Sequence, residues 1–292
     1  MTPIACIYHK DCIDGTTAAA VVLRKFPDAQ CFPVGHSTAA QELKEIFPQI
    51  PLDAVLYIVD TTHGLEMALE RGQSVVVIDH HVGERERVEH IAEMNAHCTY
   101  IFDNERSGAS LTWTYFFPDE QLPALVAHVE DIDLWKHALG ENTEHAANYL
   151  ALLRNDPASI RVHLDEDIKA IYAHGAILTR LARQEVALLI EIAPVPVAIG
   201  THVVAAFNIT NHTLNVQSAC GHELAKLHGA AVALYTIRGD IVRFSFRSLD
   251  DQSPSALELA RVLNGGGHRN SAGATMRTQD FISNLKLYDH AT

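Results

Sequence analysis

Positive charge is scarce in this 292-residue chain: 22 Lys and Arg stand against 36 Asp and Glu, a formal net charge of −14. Such a surface repels a long polyanion, so a broad basic groove for duplex nucleic acid is excluded. What remains open is a local basic pocket for a short phosphorylated ligand. Cysteine is sparse too. The five residues, Cys6, Cys12, Cys31, Cys98 and Cys220, are odd in number, scattered and without a C-x-x-C pair. That argues against a disulfide framework or a structural zinc site and for a reducing compartment. No apolar run approaches the roughly 18 to 20 residues of a membrane span. The opening MTPIACIYHKDC shows no basic stretch leading into an apolar core. The expectation is a soluble, cytoplasmic protein with no membrane contact. Histidine is what the chain has in quantity: 18 residues, several beside Asp.

Hydrophobic residues make up 48% and charged residues 20%, a globular balance. Short β-rich apolar runs at 3–8, 54–59 and 74–78 alternate with helical spacing over 16–26, 37–47 and 63–71. Strands that are apolar throughout and alternate with helices predict a parallel sheet covered on both faces. Further helices are predicted over 107–117 and 122–129, where Trp113, Tyr115, Phe116 and Phe117 read as core. A long helical pattern over 164–192, followed by Pro194 and Pro196, predicts a connector. Beyond it, 231–237 and 241–247 flank Arg238-Gly239-Asp240 as a β-hairpin, with Val242, Phe244 and Phe246 on one face. A helix over 255–263 then runs into Gly265-Gly266-Gly267-His268. The fold class is α/β: an N-terminal parallel-sheet domain (1–162), a long connector helix (163–193) and a smaller C-terminal α/β domain (194–292).

The chemistry concentrates at strand ends. The first strand ends in YHKDCIDG, with His9, Asp11 and Asp14. The second ends in VDTTHG, with Asp60, and the third in IDHH, with Asp79, His80 and His81. In an open parallel sheet these carboxyl ends line one crevice. Crowded carboxylates repel one another unless a cation neutralises them, and a mixed Asp/His shell suits Mn²⁺ or Mg²⁺. Two such ions about 4 Å apart clamp a phosphoryl group and activate a water. An Asp after a strand is also an ordinary turn former or helix cap; three such ends together favour metal.

VVVIDHH, preceded in order by HKDCIDG and VDTTHG and followed near the end by GGGHRNSAGA, resembles the DHH phosphoesterases with their DHH-associated C-terminal domain. The two-domain members, including nanoRNases and exopolyphosphatase-related proteins, are the most similar. The resemblance implies that His9 ligates one ion and Asp14 the other, that Asp60 bridges them and that His80 is a further ligand. It gives Asp79 an orienting role and turns His81 to the substrate phosphate. The family's later helical Asp is matched by Asp131 in VEDIDLW, with Asp133 in reserve. The family's first motif is H-x-D-x-D-G, whereas here it is H-K-D-C-I-D-G. Counting from His9 selects Asp11; counting back from Gly15 selects Cys12. Asp11, the harder ligand, is preferred, and a DHH subset carries Cys here.

Three successive glycines, Gly265, Gly266 and Gly267, let a backbone approach a ligand and offer N–H groups to phosphate, with His268 and Arg269 adding donors. Arg247 can grip phosphate bidentately from its strand. The combined reading is a hydrolase using two Mn²⁺ or Mg²⁺ ions on short oligonucleotides or linear dinucleotides. Polyphosphate or pyrophosphate hydrolysis is the alternative, as is a catalytically weakened nucleotide-binding protein. Homodimerisation stays open.

Overall fold

The computed structural model describes residues 2–36, 38–153, 156–209 and 216–286. The chain divides into two units, Met1–Thr179 and Arg180–Thr292. The first holds β1 (Ile4–His9), α1 (Ile13–Lys25), β2 (Gln30–Val34), α2 (Ala39–Ile46), β3 (Val55–Val59), α3 (Leu65–Glu70), β4 (Val75–Asp79), α4 (Arg85–Met94) and β5 (Cys98–Phe102). Helices α5 (Gly108–Phe116), α6 (Ala124–Asp133), α7 (Glu141–Ala151) and α8 (Pro157–Arg161) follow, and α9 (Ile168–Leu189) crosses the division. The helix expected over 37–47 is α2; Ser37 itself lies outside the described residues.

The five strands pair in the order β2-β1-β3-β4-β5, all parallel. Their side chains alternate between two cores, as a period of two requires. Ala5 and Ile7 of β1, with Leu56 and Ile58 of β3, enter a core closed by Leu43, Phe47 and Leu65. Cys6, Tyr8, Tyr57 and Val59 enter the opposite core, built on the alanine-rich face of α1 with Trp113 and Phe116. Each fully buried Ile or Leu contributes about 1.5–3 kcal/mol. Trp113 and Phe116 are core residues as expected, whereas Tyr115 is 38% exposed. The strand order reverses between β1 and β3, and in such sheets the ligand crevice opens at the carboxyl ends beside that switch point.

The second unit contains β6 (Val195–Ile199), β7 (His202–Asn208), α10 (Val216–His228), β8 (Val232–Arg238), β9 (Ile241–Arg247), α11 (Ala256–Val262), β10 (Gly266–His268), β11 (Ser271–Arg277) and α12 (Thr278–Asn284). Its mixed sheet runs β10-β11-β9-β8-β7-β6, with β7 and β8 parallel and the other neighbours antiparallel. Val242, Phe244 and Phe246 share one buried face, as their alternation predicts. The glycine run belongs to the sheet. Gly266, Gly267 and His268 form an edge strand opposite Gly273, Ala272 and Ser271. A Cβ on Gly265 would lie 2.1 Å from the Gly273 carbonyl oxygen, so that glycine is required by backbone packing. No described helix is long and apolar enough to cross a membrane.

Candidate metal centre

His9 closes β1, Asp60 follows β3 directly, and Asp79 and His80 come at the end of β4, so three adjacent strands deliver the expected groups to one edge. Asp60 is 2% exposed and sits at φ +54, a left-handed conformation that L residues other than Asn and Asp seldom adopt. Its Oδ1 lies 3.2 Å from His80 Nε2 and its Oδ2 3.4 Å from His9 Nδ1. Burial pushes its carboxyl up, but the neighbouring His80, His9 and His81 imidazoles more than offset this and leave it well below the usual carboxylate range. Burial pulls the His80 imidazole down, yet the Asp60 partner outweighs it and raises it to about 9. His81 Nδ1 is 2.7 Å from Asp79 Oδ1. That contact raises the imidazole against the opposing effect of burial.

Asp14, in the first turn of α1, is held by another helix. The backbone N–H groups of Gly108 and Ala109, at the start of α5, donate to Asp14 Oδ2 and Oδ1 at 2.6 and 3.0 Å. A helix N-terminus favours negative charge, but burial and then the charges of Asp60 and Asp133 raise the Asp14 carboxyl well above its ordinary value. Gly108 is required there: a Cβ would lie 2.7 Å from Asp60 Cβ and 2.8 Å from Asp14 Oδ2. Ser107 caps α5: its hydroxyl accepts from the Ser110 N–H. The role of α5 in gripping Asp14 had no local sequence signal.

Two of the expected ligands are displaced. Asp131 lies away from the cluster. It accepts from the Ala138 and Leu139 N–H groups at 2.7 and 3.1 Å and from Thr143 Oγ1 at 2.6 Å, and so fastens the turn after α6. The carboxylate at the cluster is that of Asp133, 3.4 Å from His80 Nε2 and raised to about 6 by burial and by Asp60. Two residues of helix rotate a side chain by about 200°, so the two acids point to opposite sides. Asp11 is likewise replaced: it is an exposed turn residue at φ +56, and Cys12 carries its sulfur into the group with His9 and Asp60. Burial, with Asp60, Asp133 and Asp14, raises the Cys12 thiol well above its ordinary value.

Three sets of donor atoms, each within 4.8 Å of one another, result: His9, Cys12 and Asp60; Asp60, His80 and His81; Asp14, His80 and Asp133. Asp60 Oδ2 and Asp79 Oδ2 are buried without a hydrogen-bond partner. Buried, mutually repelling carboxylates with orphaned oxygens fit a site for divalent cations.

Arg247, Gly265, Gly266, Gly267, His268 and Arg269 belong to the second unit. The Arg247 guanidinium donates to Ser245 Oγ at 2.7 Å, the Phe246 carbonyl at 2.9 Å and Ser218 Oγ at 3.0 Å. Burial alone lowers it to about 10. Arg269 lies in the two-residue turn of the β10–β11 hairpin and donates to the Asp250 carbonyl at 3.0 Å.

Residues 200–290 match the DHHA1 domain. That match covers about a third of the chain and lies within the second unit. Asp79-His80-His81 stands at the end of β4, outside the matched residues. The chain is similar to RecJ from Thermus thermophilus, solved in complex with Mn²⁺, with a TM-score of 0.54 and 15% identity, covering 97% of this chain and 51% of RecJ. A pGpG-specific phosphodiesterase from Vibrio cholerae aligns over 96% of this chain and 94% of its own at 14% identity and a TM-score of 0.45. An uncharacterised protein of Acanthamoeba polyphaga mimivirus is 25% identical over 150 residues, 47% of this chain and 35% of that protein. The chain thus spans about a third of this curated relative and half of RecJ.

Proposed function

We propose that this chain is a metal-dependent phosphohydrolase acting on phosphodiester bonds of short oligonucleotides or linear dinucleotides. The pose of Asp60 carries the reading: a buried carboxylate turns one oxygen toward His80 and the other toward His9, on different strands. His9, Cys12 and Asp60 would hold one cation, and Asp14, His80 and Asp133 would hold another. Mn²⁺ or Mg²⁺ held there supplies Lewis acidity and lowers the pKa of a water.

The chain's own groups position the rest. Asp79 bonds His81 Nδ1, which fixes the ring and makes Nε2 the nitrogen that would hydrogen-bond a phosphoryl oxygen. In the second unit Arg247, a half-buried cation with no carboxylate among its described hydrogen-bond partners, suits a phosphate group. The net charge of −14 supports a substrate of a few nucleotides over a long duplex.

The test is turnover of a phosphorylated dinucleotide, a 5-mer RNA, a cyclic dinucleotide and tripolyphosphate with Mn²⁺, Mg²⁺ or EDTA, in parallel with Asp60→Ala. Metal-dependent cleavage of the short nucleotides, lost in the variant, is expected. Cleavage of tripolyphosphate alone would replace this reading with a phosphoanhydride hydrolase.

A further inference from the structure

The chain has two tryptophans, and they are treated oppositely: Trp113 is 2% exposed and Trp135 is 62% exposed. Trp135 also sits at φ +54, with His137 at φ +48 in the same turn. A bulky side chain in the left-handed region is strained, and such strain persists only where the surroundings impose it. Here they do. Asp131 clamps the turn from inside, its carbonyl accepting from the Lys136 and His137 N–H groups at 3.0 and 3.3 Å while its carboxylate takes those of Ala138 and Leu139. Lys136 Nζ ties the outer side to the Glu105 carbonyl at 3.0 Å. His137 meets the indole edge-on, with ring centroids 4.5 Å apart.

The result is a large aromatic surface on a pre-set turn, held in solvent at the expense of backbone strain rather than entering the core. Its position gives the surface a use. Trp135 is two residues beyond Asp133, so its Cα lies within roughly 7 Å of the Cα of a proposed cation ligand. A phosphodiester of a nucleotide carries a flat π-system next to the bond to be cut, whereas a polyphosphate carries none. Bases stack on such aromatic surfaces with little regard to identity.

We propose that Trp135, braced by His137, is the platform on which the nucleobase beside the scissile phosphate stacks, so that the enzyme selects nucleotides over phosphoanhydrides. This rests on the phosphohydrolase reading and assigns its specificity. Trp135→Ala and Trp135→Phe are compared with the unaltered full chain on a phosphorylated dinucleotide and on an abasic dinucleotide of equal charge. Trp135→Ala is expected to raise KM for the dinucleotide about 5- to 150-fold with kcat little changed. Trp135→Phe retains most of the affinity, and the abasic analogue is handled equally by all three. An unchanged KM, or an equal loss on the abasic analogue, would overturn the platform while leaving the hydrolase reading intact. If the unaltered chain cleaves no phosphodiester, the hydrolase reading fails, and the platform is judged by tryptophan emission on titrating the dinucleotide with Ca²⁺. Quenching that disappears in Trp135→Phe upholds it, and no quenching overturns it.

Discussion

The Gly108 N–H donates to Asp14 Oδ2 at 2.6 Å across 94 positions of sequence, so the amino end of α5 holds a carboxylate that α1 carries. Gly108 is simultaneously packed against Asp60, where a Cβ would approach to 2.7 Å. Gly108→Ala should therefore disturb two proposed ligands at once. Mn²⁺ affinity is expected to fall about 10- to 100-fold, the range for groups that orient ligands. Calorimetric titration measures it; an unaltered affinity would mean that Asp14 does not depend on α5.

Asp131 and Asp133 should separate cleanly. Asp131→Ala strips three donors, the N–H groups of Ala138 and Leu139 and the Thr143 hydroxyl, and is expected to destabilise the fold by roughly 2 kcal/mol or more. Asp133→Asn should leave the melting temperature near that of the unaltered protein and weaken cation binding. Thermal melts read alongside Mn²⁺ titrations decide the matter, and the opposite pattern would restore Asp131 as the ligand.

Protons should compete with the proposed cations. His80, raised to about 9, is protonated at pH 7, and the Cys12 thiol is raised further from ionisation. Both must lose a proton before they can ligate, so cation affinity should rise with pH, up to about tenfold per unit for each proton released. Titrations in two buffers of different ionisation enthalpy at pH 7 should show that release.

The same imidazole sets the stability of the chelated protein. A histidine raised from 6.5 to about 9 contributes stability that is full below 6.5 and lost as pH rises through 9. In EDTA, His80→Gln should therefore flatten the decline of melting temperature across that window, and a decline identical to that of the unaltered protein would refute the pairing with Asp60.

Arg247 is a half-buried cation that donates to two serine hydroxyls and a carbonyl. Partial desolvation of a cation without an ionic partner costs stability, so an apolar chain of similar length should cost the fold little. Arg247→Met is expected to melt no lower than the unaltered protein yet raise KM for a phosphorylated dinucleotide. A lower melting temperature with unchanged KM would make Arg247 a structural residue.

Much of the frame was legible because it follows from local patterning. Apolar strand runs, the alternation of Val242, Phe244 and Phe246, and Asp or His at the ends of β1, β3 and β4 all appear in short windows of sequence. Strand β2 was not legible: Pro33 within QCFPV reads against a strand, and only its place at the sheet edge tolerates a residue without an N–H. Nor was β10, where glycines that look like a loop are there to let two backbones meet.

Within the site, local patterning was enough to gather carboxylates and imidazoles at one sheet edge, since strand direction alone sends them there. Which of two neighbouring groups arrives depends on how the elements pack. The left-handed turn at Asp11 hands its place to Cys12, and the phase of α6 directs Asp133 to His80 while Asp131 fastens the turn beyond. A helix turns about 100° per residue, so a shift of one or two positions reverses where a side chain points. That phase is fixed by packing against elements far along the chain, just as Asp14 is fixed by the distant amino end of α5.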